Sequence, residues 1–374
     1  MKSKTWLGVI ALALWTCLAQ AQEPIAGLGE SIVAIKNNSL FAVNLETTIF
    51  KPEGQGPFPV VIINHGKSLG NNRLQTRERA IVATRLFLQR GYAVVLPMRQ
   101  GFSKSGGAVV GEGCNIAGNG EAQADDIHAV MKWVVQQPWA DAQRMIMLGQ
   151  SHGGLTTLAY AQDPHSGIKF VVNFAGGLKY AYGCQWELAL KDAFSTYGKK
   201  AKVDSLWFYG ANDSFFPPEV IKPAHQAYVE AGGKAELNAF GAFGSDAHGM
   251  FASPDGLAIW WPSVEAKLLQ HGMPTALIFP QYGTVGKTPK PEAPQWADLK
   301  EIDRIPHLKD GGRKGYGAFL ARPFPRAFAL SSSGAWGWAN GGDDPLASAL
   351  SNCQKNAKTP CLLYAVDEHV VWKP

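Results

Sequence analysis

Short apolar runs alternate with longer amphipathic segments from about residue 30 to residue 272. A run such as 58–64 is apolar almost throughout, which predicts a strand buried on both faces. We predict strands at 31–37, 41–50, 58–64, 92–98, 144–150, 169–176, 204–210 and 235–241, and helices at 77–91, 123–137, from near 152, 185–198, 219–233 and 263–272. This alternation predicts an α/β fold with a doubly wound, mostly parallel sheet covered by helices on both faces.

The beginning of the chain carries a different pattern. Residues 1–21 contain Lys2 and Lys4, then an apolar stretch from residue 6 to about residue 18, and they end in a small-x-small sequence. This is the pattern of a cleaved signal peptide. The alternative is a membrane anchor, which needs roughly 20 apolar residues, more than this stretch supplies. We therefore predict an exported chain, periplasmic or secreted, that starts near residue 22 and has no stable membrane anchor.

The end of the chain predicts a second, smaller unit. Residues 283–300 are rich in Pro and Lys and indicate a linker. This linker follows a main α/β domain at 22–282 and precedes a unit at 301–374. Within that unit we predict a hairpin at 326–341, a short helix at 344–355 and a terminal strand or hairpin at 361–372. We expect a small α+β domain.

Composition narrows the classes of function. The chain has 374 residues, of which 46% are hydrophobic and 17% charged, as in an ordinary globular protein. Without the two leader lysines, 33 basic residues face 30 acidic ones, and no cluster of Lys and Arg is interleaved with aromatic residues. We therefore expect no nucleic-acid partner. No Cys/His cluster has the spacing of a zinc site, and we predict neither a metal nor a cofactor. The sequence leaves the oligomeric state open.

Four cysteines remain after the leader: Cys114, Cys184, Cys353 and Cys361. An even number in an exported protein favours disulfide bonds. Cys353 and Cys361 are near each other in the C-terminal unit, so we pair them, and Cys114 with Cys184 follows by elimination. The alternative is four reduced thiols. A Cys114–Cys184 bond would link loops after two different strands, so we expect it to shape the substrate pocket.

Two copies of the pattern Gly-x-Ser-x-Gly compete for the role of a nucleophile. A serine nucleophile of this kind sits on a sharp turn between a strand and a helix. At 149–153 a predicted strand ends at the first glycine and a helix follows Ser151. At 66–70 the strand ends too early, and two asparagines after Ser68 favour a loop. The context favours Ser151.

Partners for Ser151 follow later strands. A nucleophilic serine needs a base to take its proton and a carboxylate to orient that base. Asp213 lies three residues after one predicted strand, and His248 lies in a glycine-rich loop after the next. Both therefore lie at the end of the sheet where ligands bind, and the chain order Ser, Asp, His is one that catalytic triads use. Asp246 is the alternative carboxylate.

Acyl transfer also needs hydrogen-bond donors for the negative oxygen that forms on the substrate. One donor is the backbone N–H of the residue after the nucleophile, here His152. The other comes from a loop after an earlier strand, and we predict the backbone N–H of Lys67. The sequence around Lys67 also looks like the end of a phosphate-binding P-loop, but that motif needs a glycine where this chain has Val61.

Four stretches together resemble the α/β-hydrolase superfamily: HG at 65–66, GQSHGG at 149–154, LWFYGANDSFF at 206–216 and AHGMF at 247–251. Their spacings are similar to those of dienelactone-hydrolase-like proteins and of the catalytic domains of prolyl-oligopeptidase-type serine peptidases. The resemblance covers about residues 30–272 and implies the α/β-hydrolase fold with a Ser-Asp-His triad. Dienelactone hydrolases proper use a cysteine nucleophile, so the resemblance does not carry their substrate over. Oligopeptidases carry a large N-terminal propeller, which we do not expect here.

These observations predict an exported serine hydrolase of the carboxylesterase kind, acting on a small-molecule ester. Ser151 would attack the ester carbonyl, His248 would move the proton, and Asp213 would orient His248. Two alternatives stay open. One is a serine peptidase or amidase with the same triad, and the other is a non-catalytic binding protein on a hydrolase scaffold.

Overall fold

The computed structural model describes residues 24–111, 113–180, 184–283, 288–322, 324–341 and 344–373. The predicted signal peptide lies outside these residues. Within the described ranges, no helix is both long enough and apolar enough to cross a membrane.

One eight-stranded sheet forms the centre of the main domain. Its strands are β1 (Glu30–Lys36), β2 (Asn44–Phe50), β3 (Phe58–Asn64), β4 (Ala93–Pro97), β5 (Ala140–Gln150), β6 (Ile168–Phe174), β7 (Asp204–Gly210) and β8 (Ala235–Phe240). Their order is β1-β2-β4-β3-β5-β6-β7-β8. β1 and β2 pair antiparallel, as do β2 and β4, whereas the pairs from β4 through β8 are parallel. The predicted mostly parallel sheet is confirmed.

Helices cover both faces of this sheet. They are α1 (Ile81–Leu88), α2 (Ile116–Val134), α3 (His152–Tyr160), α4 (Trp186–Gly198), α5 (Pro218–Glu230) and α6 (Leu257–Gln270). Successive residues of a strand point to opposite faces. Ile62 of β3 therefore packs with α2 to α5, whereas Val61 and Ile63 pack with α1 and α6. Because the central strands are buried on both faces, their sequences are nearly unbroken runs of apolar residues.

Two helices begin earlier than their sequences suggested. α2 begins at Ile116, before the predicted start at 123. The Asn115 side chain accepts the N–H of Gly118 at 2.9 Å and so caps this helix. α6 begins at Leu257, before the predicted start at 263, and contains Pro262.

The C-terminal unit is a four-stranded antiparallel sheet between two helices. Its elements are α7 (Asp310–Leu320), β9 (Arg326–Ser331), β10 (Trp336–Asn340), α8 (Pro345–Gln354), β11 (Cys361–Val366) and β12 (His369–Val370), with strand order β10-β9-β11-β12. The hairpin, the short helix and the terminal hairpin lie where the sequence predicted them, whereas α7 was not predicted. α7 contributes to a core on one face of the sheet, and α8 to a core on the other.

Part of the predicted linker belongs to this C-terminal core. Leu299 is buried and Trp296 packs beside it. The Tyr316 hydroxyl of α7 donates to Leu299 O at 2.9 Å. The segment before α7 is therefore attached to the C-terminal unit and is not a free tether.

Candidate active site

Ser151 occupies the turn between β5 and α3. Its φ of 55° and ψ of −125° are unusual for a residue other than glycine, and such a conformation costs on the order of 1–3 kcal/mol. Backbone hydrogen bonds hold it in place. Ser151 N–H donates to Phe174 O at 2.9 Å, and Ser151 O accepts the Gly154 N–H at 2.8 Å. This is the strained strand-to-helix turn that the sequence predicted at Ser151.

The turn is tight enough to require glycine at position 153. A Cβ on Gly153 would lie 2.0 Å from the carbonyl oxygen of Asn64, the last residue of β3. The Asn64 side chain also holds α3, because its Nδ2 donates to Thr157 Oγ1 at 2.8 Å. α3 therefore lies directly against the end of β3, and Ser151 lies next to the loop that follows β3.

The competing serine lies in that loop. Ser68 is exposed, and its N–H donates to Gln75 Oε1 at 3.0 Å. The element that follows is a single 3-10 turn at Asn72–Leu74, capped by the Asn71 side chain. Ser151 thus has the strand–turn–helix geometry, and Ser68 does not.

The His248 ring lies against the carboxylate of Asp213. Nδ1 of His248 is 3.1 Å from Asp213 Oδ2 and 3.2 Å from Oδ1. Asp213 is buried, and its Oδ1 accepts the N–H groups of Phe215 and Phe216, each at 2.9 Å. The rings of these two phenylalanines lie 4.5 and 5.7 Å from the His248 ring centroid. This arrangement fixes the ring and leaves Nε2 as the nitrogen that can take a proton.

Asp246, the alternative carboxylate, binds the backbone of the same loop. It accepts the N–H of His248 at 3.0 Å and the hydroxyl of Ser214 at 2.5 Å. It caps the 3-10 turn at Ala247–Ala252. Asp213 contacts the imidazole, and Asp246 supports the segment that carries it.

The His248 loop is attached to the serine turn through Gln150. Its Nε2 donates to His248 O at 2.8 Å, and Gln150 directly precedes Ser151. Among the described residues no hydrogen bond joins Ser151 Oγ to the His248 ring. Catalytic hydrogen bonds often tighten only when substrate binds. The structure therefore brings the three residues to one end of the sheet, without a hydrogen bond between Ser151 and His248.

The loop after β3 is fixed through the carbonyl of Gly66. His65 Nδ1 lies 2.6 Å from Gly66 O, and Gln75 Nε2 donates to the same oxygen at 3.0 Å. His65 Nε2 accepts the backbone N–H of Arg99 at 3.1 Å. Nδ1 therefore carries the ring proton and donates to Gly66 O. Burial, reinforced by the nearby Arg99 charge, holds the pKa of His65 well below its ordinary value, so the ring is neutral.

This arrangement determines the direction of the Lys67 N–H. In a planar trans peptide, a carbonyl and the N–H that follows it point in opposite directions. Because Gly66 O points at His65, the Lys67 N–H points away from that ring. Gly66 lies beside Ser151, since a Cβ built on it would be 3.8 Å from Ser151 Oγ. The loop that carries the predicted Lys67 donor therefore passes beside Ser151.

The second predicted donor, His152, has a buried ring that points into the protein. Nε2 lies 2.7 Å from Asn119 Oδ1, and Nδ1 lies 3.3 Å from Arg99 Nη2. Burial, together with the positive charge of Arg99, holds the pKa of His152 well below its ordinary value. The His152 ring therefore has a structural role, through its contacts with Asn119 and Arg99, and does not act as a base. Its N–H is in the first turn of α3, where a helix leaves N–H groups without internal partners.

Arg99 is a buried residue that the sequence reasoning missed. It follows β4 at the ligand-binding end of the sheet, and its Nε donates to Gln123 Oε1 at 2.8 Å. Burial lowers its pKa to about 9, although the Asp126 charge raises it. Arg99 contacts both His65 and His152, and so supports both predicted donors. Arg99 comes directly after the predicted strand at 92–98. The expectation that functional residues follow the strands of a parallel sheet could therefore have found it.

Two disulfide bonds join the predicted cysteine pairs. Cys114 and Cys184 have a Cα–Cα distance of 5.6 Å, and Cys353 and Cys361 one of 6.1 Å. Cys114 directly precedes the cap of α2, and Cys184 lies shortly before α4. The first bond therefore connects two loops at the ligand-binding end of the sheet.

Within the ranges that the structure describes, one group of side chains has donor atoms close enough to hold a metal ion. It consists of Asp255, Glu368 and His369, whose ligand atoms lie within 4.8 Å of one another. Lys290 Nζ lies 3.5 Å from Asp255 Oδ2 and already supplies a positive charge. The group lies where the two units meet and shares no residue with the Ser151 turn.

Comparison with known proteins adds a similarity of part of the chain to one family and a shared fold. Residues 42–189 match the X-Pro dipeptidyl-peptidase (S15) family. No curated protein matches the chain. A dipeptidyl aminopeptidase IV from Bacteroides ovatus, titled putative, is 16% identical with a TM-score of 0.50, and the match covers 64% of this chain and 35% of that one.

Two further solved structures are similar at lower scores. A dienelactone hydrolase from Klebsiella pneumoniae, also titled putative, is 19% identical with a TM-score of 0.48, covering 64% of this chain and 99% of that one. An esterase from Pyrococcus furiosus is 17% identical with a TM-score of 0.47, covering 66% and 92%. The strand order and the likeness to the Bacteroides ovatus structure show that the main domain has the α/β-hydrolase fold, and residues 42–189 are similar to a family of hydrolases that cleave peptides.

Proposed function

We propose that this chain is an exported serine hydrolase that cleaves carboxylic esters through an acyl-enzyme. One observation carries the proposal: a strained serine turn lies at the same end of the sheet as a histidine whose Nδ1 is 3.1 Å from a buried aspartate. The pattern of residues 1–21 and the two disulfide bonds support export.

In the proposed reaction Ser151 Oγ attacks the ester carbonyl while His248 Nε2 takes the hydroxyl proton. Asp213 stabilises the charged imidazolium. The N–H groups of Lys67 and His152 donate to the oxyanion. His248 then gives the proton to the leaving alcohol, and a water molecule activated by the same histidine releases the acyl group.

A peptidase with the same triad is the second candidate. The match of residues 42–189 to the X-Pro dipeptidyl-peptidase family favours it. Ester and amide hydrolysis share the nucleophile, the base and the oxyanion donors, so the triad cannot separate them. The ratio of turnover on 4-nitrophenyl acyl esters to turnover on X-Pro dipeptide anilides separates the two.

The test compares wild type with Ser151→Ala on both substrate classes. We expect ester turnover in wild type and a loss of about 10⁶-fold in kcat for Ser151→Ala, as for removal of other serine nucleophiles. A higher kcat/KM on the anilides than on the esters would favour the peptidase. Failure of a phosphonate probe to label Ser151 in folded wild type would favour a non-catalytic binding protein.

Two aspartates provide a matched pair for the assigned carboxylate. Asp213→Asn should lower kcat by about 10⁴-fold, because the imidazole loses the group that sets its tautomer and stabilises its charge. Asp246→Asn makes the same change of side chain in the neighbouring His248 loop, and we expect a loss within about tenfold, equivalent to one weakened hydrogen bond. The opposite ranking would assign the triad carboxylate to Asp246.

A further inference from the structure

The C-terminal unit borders the cleft beside the proposed catalytic residues. Phe324, in the connection between α7 and β9, lies at the His248 loop: a Cβ built on Gly249 would be 3.8 Å from Phe324 Cε2. The same ring lines a cavity of about 90 Å³, together with His65, Gln150 and Phe251. One aromatic side chain of the C-terminal unit therefore reaches the neighbours of both Ser151 and His248.

A second cavity extends this contact along the donor loop. It has a volume of about 600 Å³ and lies between the loop after β3 and the end of α7. Leu69 and Leu74 line it from the loop, and Leu320 and Arg322 line it from the C-terminal unit. Glu78 borders both cavities. The two cavities are therefore adjacent, and each has residues of both units in its lining. We call the two together the inter-unit cleft.

The apolar side chains of this cleft face solvent. Leu69 is 90% exposed and Leu74 is 77% exposed, five residues apart in the loop that positions the Lys67 N–H. A single exposed leucine needs no explanation, but two beside a cavity next to a nucleophile indicate an apolar ligand. The loop contacts the rest of its domain through polar groups: the Arg73 guanidinium donates to Ser105 O and Gly107 O. The exposed leucines therefore contribute little to holding the loop.

The ring of Phe324 packs against the side chain of Arg326. The Arg326 guanidinium lies 4.6 Å from its centroid, and Arg326 is itself buried. Arg326 Nη1 donates to Phe319 O at 3.1 Å and to Arg322 O at 2.9 Å. A ring held by a fixed cation loses little freedom when it contacts a ligand.

We propose that the inter-unit cleft binds an apolar group of the substrate, and that Phe324, Leu69 and Leu74 determine its preferred length. This rests on the proposed ester hydrolysis by Ser151. The C-terminal unit is then part of the substrate site, and the substrate is an ester with an aliphatic chain of several carbons. Each buried methylene raises kcat/KM by about fourfold while the chain remains inside the cleft.

The test measures kcat/KM for 4-nitrophenyl esters from acetate to octanoate and for alkyl acetates of the same lengths, in the full chain. Wild type should prefer longer chains in one of the two series. Phe324→Ala and Leu69→Ser should each lower the hexanoyl-to-acetyl ratio, or the hexyl-to-methyl ratio, by about tenfold, the value of one to two methylene contacts. Phe324→Leu should restore part of the preference.

Leu277→Ser is the matched control. Leu277 is 61% exposed and lies beside the segment that contacts Gln89, at the opposite end of the sheet. We expect the wild-type chain-length ratio in this variant. If Phe324→Ala does not fold, as judged by circular dichroism, Leu69→Ser and Leu74→Ser carry the test, because exposed positions tolerate serine.

Two outcomes overturn different parts of the reasoning. Active wild type with the same chain-length ratio in Leu69→Ser, Phe324→Ala and Leu277→Ser overturns the role of the inter-unit cleft and leaves the ester hydrolase intact. Wild type that turns over no ester and is not labelled at Ser151 by a methylphosphonate overturns the proposed function, and the role of the cleft with it.

Discussion

The clearest single perturbation is His65→Phe, because it changes the donor loop without touching the serine, the histidine or the aspartate of the proposed triad. Phenylalanine keeps the shape of the ring and its edge contact with Phe102, whose centroid lies 4.7 Å away. It removes the bond from Nδ1 to Gly66 O and the bond from Arg99 N–H to Nε2. His65 is 1% exposed, so water does not replace either bond.

The expected losses of stability and of activity follow from those two hydrogen bonds. The Arg99 N–H is left buried without a partner, which costs about 1–3 kcal/mol. The Gly66 carbonyl loses one of two donors and keeps Gln75 at 3.0 Å, which adds about 1 kcal/mol. We expect the free energy of unfolding to fall by about 2–4 kcal/mol in total. Complete loss of one oxyanion donor costs about 10²–10³-fold in kcat. Since Gln75 still holds the loop, we expect a decrease of about 10- to 100-fold.

The assay combines steady-state kinetics on a short acyl ester with urea unfolding of the same preparation. The fall should be in kcat more than in KM, because the donors act on the oxyanion that forms in the transition state. Gln75→Ala is the companion variant, since it removes the other bond to the same carbonyl. The double variant should lose more activity than the sum of the two single losses in free energy. A folded His65→Phe protein with kcat within twofold of wild type would refute the role given to this loop.

Three further changes test other parts of the structure. Gly153→Ala should abolish turnover and destabilise the protein by more than about 3 kcal/mol, because its Cβ would meet Asn64 O at 2.0 Å; a normal thermal unfolding midpoint would contradict this. Burial holds the pKa of Glu368 above its ordinary value, and the charges of Asp367 and Asp255 add to the rise. Ionisation of this carboxylate therefore destabilises the folded state, progressively as pH rises from the ordinary pKa through the raised one. Glu368→Gln should therefore be more stable than wild type at pH 8 but not at pH 4, by on the order of 1 kcal/mol, as thermal unfolding at both pH values would measure. Replacing Cys114 and Cys184 together by serine should cost about 4 kcal/mol from loop entropy and change the substrate range, and an unchanged range on the ester panel would remove this disulfide from the pocket.

The sequence predicted the parts of this structure that depend on local pattern. β3 and β7 begin and end where their apolar runs do. We predicted Ser151, Asp213 and His248 from their positions after strands, because a parallel sheet brings the carboxyl ends of its strands to one edge. The side chains of His65 and Gln75 were not predicted, since their shared contact with one carbonyl depends on how a loop folds back on itself.

The glycine-rich start of α2 and the whole of α7 were missed for a different reason. Glycine lowers helix propensity, but in α2 a Cβ on Gly120 would lie 2.2 Å from the Tyr197 hydroxyl oxygen, and in α7 a Cβ on Gly315 would lie 2.3 Å from the Trp336 ring. In both helices glycine lets the helix approach an aromatic side chain of another element closely. That reason is tertiary, and it is not visible in either segment alone.

The position of Phe324 has a consequence for the order in which the enzyme matures. A chain made from its N-terminus carries Ser151, Asp213 and His248 well before Phe324 and its supporting Arg326 are synthesised. The hydrogen bond from Ser253 Oγ to Glu368 Oε1, at 3.0 Å, ties the last hairpin to the main domain. The proposed catalytic residues thus come early in the chain and the C-terminal wall of the inter-unit cleft late, so we expect the cleft to be complete only after the C-terminal unit has been made and packs against the main domain.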